Sequence, residues 1–499
     1  MVLSCQQMRE AEEAAFARGV SAAHLMDEAG HGIAETVREF FPVPGNVILY
    51  LGKGNNAGDA LVAARHLANA GWKVYARLAC DPADFRELPA LHWSALAQRI
   101  CVATSSVEIE ALRGNIILLD GLVGIGAKVP LHGALAKLAR EMNAVRRQRH
   151  ATLIALDLPS GLDPESGKPT EPCVEADITI TIGHVKNALL ADAATRSVGR
   201  IAVVPLAELD DAQGDTTCRA LTAHDLIPVL PPRCFEFHKG EAGRVGIIAG
   251  SKGFLGAADL ASRGALHGGA GLVTLYVKEE IYPLISVRTA PEIMVKCVSD
   301  YREVLRDKLD VLAIGPGIGV ENEDEILAVI ACANFPAVLD ADALNMIARR
   351  GFDCLEKNSA LRLLTPHPGE FARLAEHAPE WKSMSRRAAA EAFAAKFLYA
   401  TLLLKGSRTV IAAAGKPTAF NTTGHPGMAT GGVGDVLTGV CSALIAQGLS
   451  VYDAACLGSW INGRAAELAL RDGIASAESL SAGLIVEKLG AAFNDLRTI

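Results

Sequence analysis

Short apolar runs recur along this chain, and most of them end in glycine or aspartate before a longer amphipathic stretch begins. In the first 209 residues the runs lie at 47–51, 73–78, 116–119, 153–156, 178–182 and 201–204. Runs this short, separated by helical lengths, predict strands joined by βαβ crossovers into a mostly parallel sheet. A second series follows at 245–249, 273–277, 311–314, 337–339, 361–364, 402–404 and 409–412. No residue-level repeat relates the two series, so two independent α/β domains are expected. The polar stretch DDAQGDTT from Asp210 to Thr217 predicts the join, giving domains at 1–209 and 221–499 with a linker at 210–220. At the amino end, Ser4 with Gln7 three residues on reads as a capping box and Gly19 as a stop, which predicts a first helix. A second helix is expected through Leu25 and Met26.

Composition narrows the class. Half of the 499 residues are hydrophobic and 21% are charged, which supports large cores and excludes general disorder. Aromatics at 5% and 47 glycines suit an α/β enzyme with tight loops better than a β-sandwich or a base-stacking nucleic-acid binder. The net charge of -8 gives no global attraction for nucleic acid or an anionic membrane. Arg146, Arg147, Arg149 and His150 form a short basic cluster that reads as the solvated end of a helix. Eleven cysteines without a C-x-x-C pair indicate reduced thiols, and thirteen histidines without H-E-x-x-H or a Cys/His cluster argue against zinc. No apolar run approaches the roughly 18 residues of a membrane span, and no targeting pattern opens the chain. A soluble, cytoplasmic protein is expected.

The run 47–51 leads directly into Gly52-Lys53-Gly54-Asn55-Asn56-Ala57-Gly58-Asp59, with a helix expected from Leu61 to Asn69. A strand, a glycine loop and a helix start make an anion site, because free backbone N–H groups and the positive end of the helix dipole meet there. G-x-G-x-x-A with Asp81 beyond it is a weak dinucleotide fingerprint. The paired asparagines and Asp59 exceed what a pyrophosphate cradle needs. A second loop, Asp120-Gly121-Leu122-Val123-Gly124-Ile125-Gly126-Ala127-Lys128, and a third, Asp157-Leu158-Pro159-Ser160-Gly161-Leu162-Asp163, end the next strands. Alone, Asp120 or Asp157 reads equally as a cap or turn residue. Three acids at strand ends, where open α/β sheets bind ligands, suit a phosphate-bearing ligand and a cation.

In that order, GKGNNAGDALVAARHL, DGLVGIGAKVPLHG and ALDLPSGLDPESG resemble the NAD(P)H-hydrate epimerase family over residues 1–209. The resemblance implies a Rossmann-like, three-layer α/β/α domain that interconverts the R and S hydrates at nicotinamide C6. It places the substrate on Asn55, Asn56, Ala57, Gly58 and Asp59, and its phosphate on Gly124, Ile125, Gly126, Ala127, Lys128, Val129 and Pro130. It also implies Asp157 as substrate-binding acid/base and a potassium ion on Asn56, Asp120 and Ser160. Proton exchange suits a carboxylate held within hydrogen-bond reach. Ala57 and Ala60 stand where the family commonly has glycine, and Ile125 where threonine is common.

Nearer the carboxyl end comes Gly424-His425-Pro426-Gly427-Met428-Ala429-Thr430-Gly431-Gly432-Val433-Gly434-Asp435-Val436-Leu437, with a helix expected after Asp435. Unpaired N–H groups beside a carboxylate can hold a phosphoryl group while the acid handles a proton. The plainer reading makes Asp435 an N-cap. Lys405-Gly406-Ser407-Arg408-Thr409 supplies cations and hydroxyls suited to phosphate. Thr365-Pro366-His367-Pro368-Gly369-Glu370, Gly315-Pro316-Gly317-Ile318-Gly319 and Asp340-Ala341-Asp342-Ala343-Leu344-Asn345 end further strands. His367 by itself reads as a packed or exposed histidine. The GSK at 250–252 lacks the G-K-[ST] order, which disfavours a P-loop ATPase.

Together with AGSKGFLGAADLASRGALHGGAGLVTL, these motifs resemble the NAD(P)H-hydrate dehydratase family, of ribokinase-like α/β fold, over residues 221–499. The resemblance implies adenine nucleotide on Lys405, Gly406, Ser407, Arg408, Thr409 and Gly434, and hydrate on Ala258, Gly317, His367 and Asp435. Asp435 is the implied catalytic acid/base, and ADP with Mg2+ the implied co-substrate, although no residue separates ADP from ATP. His425 replaces the asparagine usual before Pro-Gly. The combined expectation is a fused repair enzyme for NADHX and NADPHX, a homo-oligomer without nucleic-acid or membrane partners. It would epimerise the hydrates and dehydrate the S form, with transient phosphorylation of the hydroxyl as one route. Two alternatives remain open: a small-molecule kinase with Asp435 as base, and an amino-terminal half that senses nucleotides without chemistry.

Overall fold

The computed structural model describes residues 1–357 and 359–498. It divides into two compact units, Met1–Thr216 and Thr217–Ile499.

Among the described residues, the strands of the amino-terminal unit are β1 (Val2–Leu3), β2 (Asn46–Leu51), β3 (Lys73–Leu78), β4 (Ile100–Val102), β5 (Ile116–Gly121), β6 (Thr152–Leu156), β7 (Ile178–Ile182), β8 (Val185–Lys186) and β9 (Arg200–Val204). Seven of them form one sheet in the order β4-β3-β2-β5-β6-β7-β9, with every pairing parallel. Alternate residues feed two cores. Val47, Leu49, Leu51, Ile117 and Leu119 pack with the helices Ala22–Phe40 and Asn55–Asn69, whereas Ile48, Tyr50, Leu118 and Leu153 pack with Gly133–Arg149. That is the three-layer arrangement that a parallel sheet buried on both faces requires. The strand order reverses between β2 and β5, the position at which open α/β sheets place their ligand sites.

The six expected strands are present within two residues of their predicted bounds, and β1, β4 and β8 are additional. β1 and β8 pair in parallel, with Leu3 opposite Lys186. The Ser4 capping box forms in both directions, at 3.0 and 2.8 Å. The basic cluster does end the helix Gly133–Arg149, but two of its guanidiniums serve the fold: Arg146 pairs with Asp177, and Arg149 donates to the Leu112 carbonyl at 2.8 Å.

The carboxyl-terminal unit contributes β10 (Cys218–Leu221), β11 (Arg244–Ile248), β12 (Leu272–Val277), β13 (Ile293–Cys297), β14 (Val311–Ile314), β15 (Ala337–Leu339), β16 (Arg362–Leu364), β17 (Ala400–Leu404), β18 (Val410–Ala413) and β19 (Thr418–Asn421). They form one sheet in the order β10-β19-β18-β17-β16-β15-β14-β11-β12-β13, antiparallel only at β17–β18 and β18–β19. Here the order reverses between β11 and β14. β10, β13 and β19 were not expected, and β10 corrects the linker: Cys218, Arg219 and Ala220 belong to an edge strand paired with β19. Asp215 is likewise held, its N–H donating to the Val2 carbonyl at 3.0 Å. The polar run before it masks so short a strand. All eleven cysteines are free thiols, and no described helix is long and apolar enough to cross a membrane.

Two helices of this unit, Leu255–His267 and Val433–Ala446, cross through glycine. A Cβ on Gly439 would lie 2.1 Å from the Ala261 carbonyl oxygen, and one on Gly264 would lie 2.5 Å from that of Val436. This contact fixes Ala258 relative to Asp435. Gly439→Ala should therefore destabilise the unit by about 1–3 kcal/mol through overpacking, despite the roughly 1 kcal/mol by which alanine favours a helix. Gly490→Ala, whose Cβ meets nothing within 4 Å, should not destabilise it in the same denaturant titration.

Candidate functional site

In the amino-terminal unit the chain leaves β2, turns through Gly52, Lys53 and Gly54, and enters a helix at Asn55 rather than Leu61. Asn55 to Asp59 are therefore helical residues, which corrects their assignment to a loop. Gly54 is an extended N-cap with no side chain to bond the first turn, so the leading N–H groups stay available to an anion. None of residues 52–60 has a positive φ, so Ala57 and Ala60 sit in the first turns without backbone strain. Gly52 is needed for a different reason: its Cβ would lie 1.9 Å from the Leu122 carbonyl oxygen. Asp81 caps the turn Pro82–Asp84 by accepting from the Ala83 N–H at 2.9 Å.

The residues expected to hold a cation converge. Asp120 is fully buried and accepts from Ser160 Oγ at 2.7 Å, the Ser160 N–H at 2.8 Å and the Leu122 N–H at 3.2 Å. Burial pushes its carboxyl up to about 6 against the pull of those hydrogen bonds. Asn56 donates through Nδ2 to the Val123 carbonyl at 2.9 Å, while its buried Oδ1 has no hydrogen-bond partner. An orphan amide oxygen beside a buried carboxylate that lacks a cationic partner fits an oxygen-ligated cation.

Asp157 follows β6 in the left-handed region at φ +66°, and its Oδ1 accepts from Lys186 Nζ at 2.5 Å. A non-glycine residue held in that region is a mark of local constraint at functional sites. A Cβ on Gly124 would fall 3.6 Å from Asn56 and 3.7 Å from Asp157 Oδ2, so the second loop lies against the first and third. Ile125 packs against the cluster of Leu3, Met8 and Leu25, which replaces the family's threonine by a hydrophobic anchor, while Gly126, Lys128 and Pro130 are exposed. Two participants escaped the sequence reading: Lys186 and Glu12. Burial, then Asp157, pushes Glu12 up to about 7 and raises Asp59 well above the usual carboxylate range. The buried lysine's sequence signal is its position as the one Lys, Arg, Asp or Glu in the stretch TITIGHVK.

In the carboxyl-terminal unit the loops after β11 and β14 interlock. The Gly250 N–H donates to the Pro316 carbonyl at 2.8 Å, and Ser251 Oγ to that of Gly317 at 2.8 Å. Gly317 has φ +61°, and its Cβ would lie 2.9 Å from that of Phe254; Ala258 is fully buried beneath Gly250. The helix Val433–Ala446 starts before Asp435, with Gly432 at φ +90° as N-cap, which removes the N-cap reading of Asp435. Asp340 is buried, accepting from Lys405 Nζ at 2.8 Å through Oδ1 and from Thr438 Oγ1 at 2.8 Å through Oδ2.

Asp435 is pushed up to about 7 by burial and by the charges of Asp340, Glu370 and Asp342, against Lys405. Burial alone would lower Lys405, but Asp340, Glu370 and Asp435 outweigh it and raise it. His367 caps the helix Pro368–Leu374 by accepting from the Gly369 N–H at 3.0 Å, and its ring lies 3.4 Å from buried Glu370. Lys405 is thus already engaged with Asp340, while Ser407 is exposed and Arg408 is buried. Thr409 Oγ1 reaches the Gly406 carbonyl only at 3.5 Å. Arg386, outside every motif, braces that loop by donating to the carbonyls of Leu404, Lys405 and Arg408 at 2.9–3.1 Å. His425 Nδ1 accepts from the Gly427 N–H at 3.1 Å, supplying the cap that an asparagine side chain would provide.

Residues 22–188 match the family model described as YjeF-related protein N-terminus, and residues 245–488 match that of NAD(P)H-hydrate dehydratase. The bifunctional NAD(P)H-hydrate repair enzyme of Moorella thermoacetica is 35% identical over 90% of this chain and 88% of its own. The chain belongs to the family of bifunctional NAD(P)H-hydrate repair enzymes. The repair enzyme of Escherichia coli is 34% identical over 92% of this chain and 88% of its own. A solved structure of the Bacillus subtilis ADP/ATP-dependent NAD(P)H-hydrate dehydratase, co-crystallised with ATP/Mg2+, is 31% identical. It covers 55% of this chain and 97% of its own, with a TM-score of 0.49. In this member of the repair-enzyme family, Thr438 is the group that holds the second oxygen of Asp340. Thr438→Val keeps the shape and deletes that donor, so it should cost the carboxyl-terminal unit about 1–3 kcal/mol in denaturant unfolding, with Thr438→Ser largely restoring it.

Proposed function

We propose that this chain restores hydrated NADH and NADPH: the amino-terminal unit epimerises the R and S hydrates, and the carboxyl-terminal unit dehydrates the S form at the expense of ADP. The observation that carries the reading is that each unit sets an aspartate, Asp157 or Asp435, beside an ion-paired lysine and an open helix start, where its strand order reverses. Membership in the repair-enzyme family supports both halves.

In the amino-terminal unit the leading N–H groups of helix Asn55–Asn69 and the loop from Gly124 to Pro130 receive the substrate, and Asp157 exchanges the proton. Asn56, Asp120 and Ser160 would hold a potassium ion, which when bound supplies positive charge next to a carboxylate that otherwise has none. In the carboxyl-terminal unit Lys405 to Thr409 and Gly434 receive the nucleotide with its Mg2+, and Ala258, Gly317 and His367 receive the hydrate. Asp435 accepts the hydroxyl proton as oxygen bonds to the transferred phosphorus and AMP departs. Loss of phosphate with its C–O bond, together with a proton from the neighbouring carbon, then regenerates the double bond. Eleven cysteines outside any disulfide suit a reducing compartment, and we place the protein in the cytoplasm.

Mixed R and S NADPH hydrate with ADP should return all of the reduced-cofactor absorbance; recovery that stalls when the S form is spent would remove the epimerase half. Asp435→Asn should abolish recovery, and a stable phosphorylated product would instead indicate a kinase. Because Asp435 acts as a base and is raised to about 7, it is increasingly protonated below that pH. The dehydration rate should therefore climb as pH rises from 6 to 8, rather than across the ordinary carboxylate range near 4.

A further inference from the structure

The ion pair between β8 and the end of β6 is built more completely than a chance contact. Lys186 is 1% exposed, and its Nζ reaches Asp157 Oδ1 at 2.5 Å, the Ile182 carbonyl at 2.6 Å and Thr181 Oγ1 at 3.2 Å. An ammonium carries three N–H donors, and here each has an acceptor. A lysine so enclosed is poorly placed to bind a substrate phosphate. Its surroundings are fixed as well: β8 is paired with β1, and fully buried Leu3 sits opposite Lys186.

The two oxygens of Asp157 consequently differ. Oδ1 is tied to Lys186, with the Ile182 N–H at 3.5 Å, whereas Oδ2 is directed toward Gly124 in the loop assigned to the substrate. The left-handed backbone at Asp157 and its N–H bond to the Ile180 carbonyl at 2.8 Å fix the base of the side chain, leaving the lysine to set its rotation. Acidic groups surround the pair, with Glu12 on the helix Cys5–Ala17 and Asp59 on the helix Asn55–Asn69. Cys5, Arg9 and Asp163 lie in the same field. Without the ammonium, Asp157 would face two other carboxyl groups with no compensating charge in contact with it.

We propose that Lys186 is the positioning residue of the amino-terminal site: it pins Oδ1 of Asp157, so that Oδ2 alone exchanges a proton with the substrate. The proposal rests on Asp157 being the acid/base of the epimerase reading. General acid–base catalysis contributes about 10²–10⁴-fold, so Lys186→Met or Lys186→Ala in the full chain should lower the epimerase kcat by about 10²-fold or more with KM little changed. The initial phase of S-form dehydration should be unaffected. Ethylammonium should return about tenfold or more of the lost rate to Lys186→Ala, and tetramethylammonium, which cannot donate, should not. Full kcat in Lys186→Met, alongside an inactive Asp157→Asn, overturns the proposal and leaves the epimerase reading standing. A loss shared between kcat and KM that no amine restores also overturns it. A wild-type chain that consumes only the S form overturns both. A second measurement needs no substitution at the lysine: nitrogen-15 spectra of the intact chain should show Lys186 Nζ as a slowly exchanging ammonium, and a rapidly exchanging one overturns the pin.

Discussion

An ion pair between a lysine and a buried aspartate organises the site of each unit. Removing both charges from water carries a penalty of several kcal/mol per ion, and the pair persists only where further hydrogen bonds satisfy both partners. Lys186 meets that condition with three acceptors, and Asp340 meets it by accepting from Lys405 and Thr438 together. Each pair joins segments that the chain brings from different strands, so its geometry is only as good as the sheet beneath it. The parallel sheets, buried on both faces, supply that rigidity, and the polar groups are concentrated at the strand ends where backbone must approach a ligand closely.

The charge around each pair is unevenly shared. Asp340 is tied to Lys405, whereas Asp435 is raised in proton affinity by burial first and then by the charges of Asp340 and Glu370, against the same lysine. One acid of the cluster is thus an anchor, and the other is pushed up to about 7. In the amino-terminal unit the acid on the lysine is Asp157 itself, and the carboxyl groups whose proton affinity is raised, Glu12 and Asp59, lie around it.

Much of this was legible in the sequence because short strands ending in glycine and acid mark both the sheet and its ligand edge. The expected strands fall close to the observed ones, and Asn56, Asp120 and Ser160 meet as their motifs implied. What escaped has definite physical causes. Helix starts at Asn55 and Val433 were placed too late because their N-caps are glycines, which give no side-chain signal. Lys186, Glu12, Arg386 and the Asp340–Lys405 pair act through contacts between segments far apart in sequence, which periodicity cannot register. β10 was hidden because four residues paired at an edge resemble the end of a polar linker. Departures from family residues were local exchanges: His425 caps its turn through imidazole nitrogen, and Ile125 anchors its loop by packing.

The pairing of β1 has a bearing on how the protein is made. Leu3 pairs opposite Lys186, and the Val2 carbonyl accepts from the Asp215 N–H. Residues 2 and 3 must therefore wait until the chain has reached β8 and Asp215, and closing so long a loop is slow relative to local folding. The helix that carries Glu12 follows β1 and is made before the strands that β1 waits for, so the surroundings of Asp157 and Lys186 are completed late by a segment made before them.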